Sequence, residues 1–346
     1  MTDAPTSPPP PPRGRSWLSP GRVAATGGFL LLIAIVVMWI APANGYQLEL
    51  VDPAHPVAPL VHVEGKRPGG PGTIYFVDVR ERQARLIERL LPWARADGSS
   101  LVRSPPISSS LDQRLGQVEM LDSQKIAPYV ALKLLGYQVS ARSAGVNILQ
   151  VEKSAPAAKV LEPNDVILAV DGKAVHTVAE LRAALATKRP GDRVRIRFGR
   201  GRKTREASVA TVASTGGPKQ ALLGIFASDN LQVHLPVSVT IDSQGIGGPS
   251  AGLAFALEIL QNLGRNVAHG RRIAATGELA LNGRVLPIGG VKQKTLGARR
   301  AHVDAFLVPA GDNAREARRY ADGLRIIPVE NVQQALRALA TLGRKT

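Results

Sequence analysis

Thr276-Gly-Glu-Leu-Ala-Leu-Asn-Gly-Arg-Val-Leu-Pro-Ile-Gly-Gly-Val-Lys-Gln-Lys294 is the stretch on which the fold turns. Asn282-Gly283 is a hairpin signal, because both residues tolerate the left-handed backbone of a tight turn. A short strand follows, then Gly289-Gly290, and the pattern predicts a helix starting near Val291. Lys292 and Lys294 lie on its first turn. Further upstream, Val237-Ser-Val-Thr-Ile241 reads as a strand by its β-branched content. It leads into Gly245-Ile-Gly-Gly-Pro-Ser-Ala-Gly252 and then an apolar helix to about Gln261. A serine at such a Gly-rich strand-to-helix junction is exposed and rigidly held. Nearby backbone N–H groups and the helix N-terminus can stabilise an oxyanion there.

Rival chemistries fail on the residues. A phosphate loop needs Gly-x4-Gly-Lys-Ser/Thr, and Gly247-Gly-Pro-Ser-Ala-Gly252 is followed by Leu253 where the lysine should stand. The histidines are His55, His62, His176, His234, His269 and His302, and none lies in a motif of its own. His234 is near the serine strand and could line a cleft. No His-Glu-x-x-His or other metal spacing is present. The absence of cysteine excludes disulfides, thiolate catalysis and cysteine metal sites. No cofactor and no metal are therefore expected. A serine hydroxyl still needs a base before it attacks a carbonyl. A free lysine, with a pKa of about 10.4, is protonated at neutral pH; burial beside Val291 and Leu296 would lower it by desolvation.

Together, Gly248-Pro-Ser-Ala-Gly252 and Thr276–Lys294 strongly resemble the two signatures of Lon-type proteolytic domains, G-P-S-A-G and T-G-E…G-x-V-L-P-I-G-G-x-K-x-K. The resemblance implies Ser250 as nucleophile and Lys294 as general base, with Lys292 the runner-up. Thr276 matches the family's threonine that hydrogen-bonds the catalytic lysine, and Glu278 sits in the same motif. Gly248, Pro249, Ala251 and Gly252 form the expected serine loop around the oxyanion. Many Lon proteases carry an acidic residue three before the serine; here that position is Gly247, and Asp242 is out of register. The resemblance also implies a hexameric ring. It includes no ATPase segment, so proteolysis is expected to need no ATP and to act on unfolded or flexible polypeptides.

Residues 138–213 change character. Val146–Val151 and Asp165–Val170 read as strands, Asp171-Gly172 as a turn, and Val178–Ala186 as a helix stopped by Pro190-Gly191. This order closely resembles bacterial PDZ domains. Asn164 replaces the usual glycine before Asp165 but tolerates the same left-handed backbone. PDZ domains add an extended peptide to a sheet edge and hold its terminal carboxylate with backbone N–H groups. By resemblance, Ala144, Gly145, Val146, Asn147 and Ile148 form that loop and strand.

The chain has 346 residues and a formal charge of +17. Such a balance favours nucleic acid or anionic lipid. The densest basic run, Arg193 to Arg205, alternates Arg193, Arg195 and Arg197 with Val194, Ile196 and Phe198. That is a strand with a solvated basic face, whose one aromatic does not make a stacking platform, and no nucleic-acid partner is expected. Residues 1–22 are Pro-rich and basic and are expected to be a disordered tail. Residues 23–43 carry no charge and are long enough to cross a bilayer as a helix. Three arginines precede this stretch and no Lys or Arg follows until Lys66. The positive-inside rule then puts the tail in the cytoplasm and the bulk outside, anchored in the cell membrane by a single pass. A cleaved signal peptide, with Ala41-Pro42-Ala43 at the cleavage site, is the competing reading.

The expected fold is α+β: one N-terminal transmembrane helix, a protease region begun by 62–137, the PDZ module over 138–213, and the catalytic part over 214–346. Residues 62–137 are expected to supply the first half of the protease fold, with Asp122-Ser-Gln-Lys-Ile-Ala resembling an early helix of that family, which makes the PDZ module an insertion. Strands are expected at Ile74–Val79, Ala305–Val308 and Ile326–Val329. Helices are expected over 81–91, 122–135, 313–320 and 332–342, with a loop over 98–110. The functional reading is a serine endopeptidase of polypeptide substrates; the alternative is a catalytically silent membrane-tethered PDZ scaffold.

Overall fold

The computed structural model describes residues 20–66, 69–105, 107–214 and 220–342. Most of the expected tail, residues 1–19, lies outside the described residues. Helix α1 spans Pro20–Ile40, so it starts and stops three residues before the expected 23–43. Proline is favoured in a first helical turn, and Ala41, preceding Pro42, is pushed toward extended backbone. The helix is about 31 Å long at 1.5 Å per residue, and its apolar window is unburied, unlike a core helix.

The strand Pro42–Val51 follows at once and pairs antiparallel with Val79–Arg85 and Ser100–Arg103. Two expectations fail here. The helix predicted over 81–91 shrinks to α2, Leu86–Leu90, because Arg80 to Arg85 are held as a strand by pairing with residues 42–50. The predicted 98–110 loop contains the strand Ser100–Arg103 and the start of α3, Ser109–Leu134. Ser108 caps α3 by accepting the Leu111 N–H at 3.3 Å. The helix begins thirteen residues before the predicted 122 because its first half is polar and mostly exposed, which hides its periodicity.

The PDZ region has its own core, built on Val146, Ile148, Ile167, Val194, Ile196 and Phe198. Its sheet runs in the order 203–210, 193–200, 166–170, 140–151, 225–234. Arg193, Arg195 and Arg197 are exposed while Val194, Ile196 and Phe198 are buried. Asn164 has φ 72°. Asp171 and Gly172 both have positive φ, as the tight turn before Lys173 requires. Buried Asp165 receives Arg200 on both carboxylate oxygens at 2.7 Å. The strand Ile225–His234 extends this sheet past the expected boundary at 213. Helix α4, Val178–Ala186, lies alongside it: the Val178 N–H donates to Asp229 Oδ1 at 2.7 Å.

A second core joins residues on both sides of the PDZ region. Val57, Val61, Ile74 and Phe76 pack with Val130 of α3 and with helix α5, Gly252–Asn262. Every residue of α5 is buried. The strands Thr73–Phe76, Arg272–Ala275, Ala305–Pro309 and Arg325–Val329 form a parallel run, with His55–Pro56 antiparallel at its edge. Helices α6 (Val291–Arg300) and α7 (Asp312–Arg319) supply Val291, Ala298, Ala314 and Ala317 to a core around Ala274 and Phe306. Helix α8, Val332–Thr341, packs Val332, Ala335 and Leu339 against the α5 core.

Candidate active site

The serine loop hangs from the strand Val239–Ile241, which pairs with Val61–Val63. Positive φ at Gln244, Gly245 and Gly248 lets the chain fold back before α5. Ser250 is half-buried in the turn that opens α5. Its carbonyl accepts the Gly277 N–H at 2.8 Å and the Thr276 hydroxyl at 3.2 Å. The two signature segments are therefore tied through backbone. Glycine is required at Gly252 and Gly277: an added Cβ would come within 2.9 Å of Ser123 Oγ and 2.4 Å of Val285, respectively.

Gly290, with φ 66°, starts α6 and carries Lys294 inward, leaving it 5% exposed. Ser250 and Lys294 line one cleft of about 570 Å³ with Glu49, Asp78, Arg80, Glu81 and the serine-loop residues Ile246 to Pro249. Among the described residues Ser250 Oγ and Lys294 Nζ are not hydrogen-bonded to each other. Burial lowers the Lys294 ammonium from 10.5 to about 8, against the opposing charges of Asp78, Glu49 and Glu81. Burial in turn raises all three carboxyls, helped by Glu81 beside Glu49 and by Asp52 beside Asp78. Glu49 and Glu81 face each other across paired strands, a like-charge pairing that is unfavourable alone and is offset here by Lys294.

The structure separates the other expected residues. Lys292 donates to the Ser99 carbonyl at 3.0 Å and does not line the cleft. Thr276 bonds the Ser250 carbonyl, a different partner from the lysine that the resemblance implied. Glu278 and His234 also lie outside the cleft lining. Among the loop residues, Pro249 has no N–H, while Gly248 donates to Gly116 of α3 at 2.7 Å and Gly252 to the Pro249 carbonyl at 3.2 Å. Ala251 is buried at the start of α5. Glu49, Asp78 and Glu81 were missed because they belong to no motif. Only the pairing of 42–51 with 79–85 and the packing of α6 bring them to the lysine.

The peptide loop and strand expected at Ala144–Ile148 fall within a longer strand. These residues sit inside the strand Ser140–Val151: Val146 and Asn147 pair on one side with Asp229 and Ser228 and on the other with Ile167 and Val166, while Ala144 and Gly145 lie at a register shift opposite 229–231. An added Cβ on Gly145 would meet the Ile167 carbonyl at 2.6 Å, so this glycine serves a close strand crossing.

One group of metal-capable side chains does come together. Asp52, His55 and Asp78 have ligand atoms within 4.8 Å of one another. Arg80 already donates to both Asp52 oxygens at 3.1 Å, and His55 Nε2 lies 3.5 Å from Asp52 and 3.9 Å from Asp78. Arg80 therefore pairs Asp52, while Asp78 Oδ1 is buried without a hydrogen-bond partner among the described residues.

Residues 202–341 match the family model of the Lon protease (S16) C-terminal proteolytic domain, and residues 134–211 match the PDZ domain model. Lon protease 1 of Myxococcus xanthus is 38% identical over 122 residues, which are 34% of this chain and 14% of that protein. Lon protease 3 of Sorangium cellulosum is 32% identical over 185 residues, 51% of this chain and 21% of that protein. The chain thus spans under a quarter of the length of these relatives. The PDZ domain of the SdrC-like protein from Listeria monocytogenes covers 24% of this chain and 87% of its own, at 30% identity and a TM-score of 0.23. This chain carries a PDZ domain and, overlapping it by residues 202–211 and running on to 341, a Lon protease C-terminal proteolytic domain.

Proposed function

We propose that the protein is an ATP-independent serine endopeptidase in which Ser250 attacks the peptide carbonyl and Lys294 is the base. The observation that carries this reading is a buried lysine, lowered to about 8, sharing one cleft with a serine at a Gly-rich helix start. Neutral Lys294 would take the Ser250 proton as Oγ attacks, then return it to the departing amine; water would release the acyl group by the same base. Catalytic contacts are often loose before substrate binds, so an unbonded Ser250–Lys294 pair is compatible with closure on a substrate. An oxyanion stabilised by Gly248 would require that N–H to leave the Gly116 carbonyl.

The test is cleavage of a permanently unfolded protein by the purified full-length chain, with covalent labelling of Ser250 by a serine-directed phosphonate. Cleavage without labelling of Ser250 would move the nucleophile elsewhere. Adding ATP and Mg²⁺ is expected to leave the rate unchanged, because the sequence holds no phosphate loop; an ATP-stimulated rate would remove the nucleotide-independent reading.

The rate should also follow the free amine. With Lys294 near 8, roughly a tenth of it is neutral at pH 7, so kcat/KM should rise about tenfold per pH unit below 8 and level off above. A flat profile from about pH 6 to 9 would exclude Lys294 as base.

We further read α1 as a membrane anchor, its tail cytoplasmic and the remainder outside, on the strength of its length, exposure and the arginines before it. The PDZ domain would deliver extended polypeptides. The strands at the two ends of its sheet are 203–210 and 225–234, and 225–234 leads directly toward the serine loop.

A further inference from the structure

The short helix α2 is built inside out. Its buried residues are Ile87 and a carboxylate, Glu88, which is 4% exposed. Its outward residue Leu90 is 56% exposed, and Trp93 in the turn that follows is 74% exposed, more than any other large hydrophobic side chain named outside α1. This exposure is not fraying. Glu88 accepts the Arg85 N–H at 2.8 Å and Arg82 at 2.9 Å, and Arg95 Nε donates to the Glu88 carbonyl at 2.6 Å. The corner is locked with its charge inside and its apolar groups outside.

Its position gives the reason. The Leu86 N–H donates to the Ala41 carbonyl at 2.9 Å, and Ala41 is the residue directly after α1. Leu90 lies four residues on, about 6 Å along a helix, comparable to the roughly 5–8 Å headgroup layer on each side of a bilayer. Arg85 and Arg89 are exposed beside it, and Arg95 is half-buried. Arg89 stacks over the Tyr46 ring at 4.5 Å. Glu88 is neutralised by Arg82, so the local charge is positive. Tryptophan and arginine beside an apolar span are what an interface selects, and basic residues there favour anionic lipid.

We infer that the Leu90–Trp93 corner, with Arg85, Arg89 and Arg95, rests on the headgroup region of the same bilayer that α1 enters and fixes the protease domain against the membrane. This inference rests on reading α1 as an anchor. The contact should strengthen with anionic phospholipid and weaken with salt, as screening shortens the reach of exposed charges.

The experiment uses the full chain in vesicles, with Trp17→Phe and Trp39→Phe leaving Trp93 as the sole tryptophan of three. The vesicles contain phosphatidylcholine with or without phosphatidylglycerol, and acyl chains brominated near the headgroup. Trp93 emission should shift to the blue and be quenched by the bromines, more so with phosphatidylglycerol, and Arg89→Gln with Arg95→Gln should reduce both effects. A protein that resists alkaline extraction but shows water-like, unquenched Trp93 overturns this inference and leaves the anchor standing. A protein released by alkali removes the anchor reading itself. Blue-shifted emission without bromine quenching would assign the corner to a second copy of the chain and also overturn the proposal.

Discussion

Ser250→Ala should abolish cleavage of an unfolded protein, lowering kcat/KM by roughly a thousandfold or more, while the thermal transition stays near that of the unchanged protein. The serine hydroxyl is half-buried in a turn whose backbone is held from Ser250 O by Gly277 and Thr276, so losing one oxygen removes no structural bond. Lys294→Met should lose activity to a similar degree, since among the described residues the only other cationic side chain lining the cleft is Arg80, whose guanidinium cannot act as a base. Methionine keeps the volume but removes the charge, leaving Glu49, Asp78 and Glu81 without their central cation. The carboxyls would then protonate more readily. Lys292→Met serves as the contrast. Its amine sits on the Ser99 carbonyl outside the cleft, and cleavage should persist. A Ser250→Ala protein that still cuts at the original rate would leave the silent scaffold as the better description, with another protease in the preparation.

Gly297→Ala carries the second large effect, on stability. Mid-helix glycine is ordinarily a weakness, and alanine would gain about 1 kcal/mol by propensity alone. Here the added Cβ would lie 2.1 Å from the Asp52 carbonyl, a backbone atom that cannot rotate away. The Gly297 carbonyl also accepts the Ala54 N–H at 3.3 Å, so the two segments are bonded at the point of contact. Relieving the clash means moving α6 or the 52–54 segment. Overpacking of this kind typically costs 1–3 kcal/mol and at times more, so steric repulsion should outweigh propensity. The expected result is a net loss of about 2 kcal/mol or more and a melting point lower by about 5 °C or more. Because Lys294 lies one turn earlier on α6, cleavage should drop as well. Gly289→Ala, where an added Cβ meets nothing within 4 Å, should leave the melting point unchanged. If both variants melt together with the parent, α6 does not pack on residue 52 in solution.

The reach of sequence reading differs along the chain for physical reasons. Residues 237–342 announce themselves because their structure is set locally. Glycines at fixed spacing allow the positive φ of the serine loop and of Gly290, and apolar periodicity marks α5 and α8. The Asp171-Gly172 turn and α4, Val178–Ala186, are legible for the same reason. Residues 79–85 are not. Val-Arg-Glu-Arg-Gln-Ala-Arg has the composition of a solvated helix, and only pairing with 42–51 makes it a strand.

The same division holds in the active cleft. Sequence alone determined that a serine and a lysine are offered by two rigid Gly-rich turns, because turn chemistry is written in consecutive residues. Tertiary structure alone decided which groups surround the amine, since Glu49, Asp78 and Glu81 arrive from a sheet some two hundred residues away in the chain. It also decided that 225–234 joins the PDZ sheet beside 140–151. Strand pairing and desolvation depend on partners distant in sequence, and no local pattern encodes who those partners are.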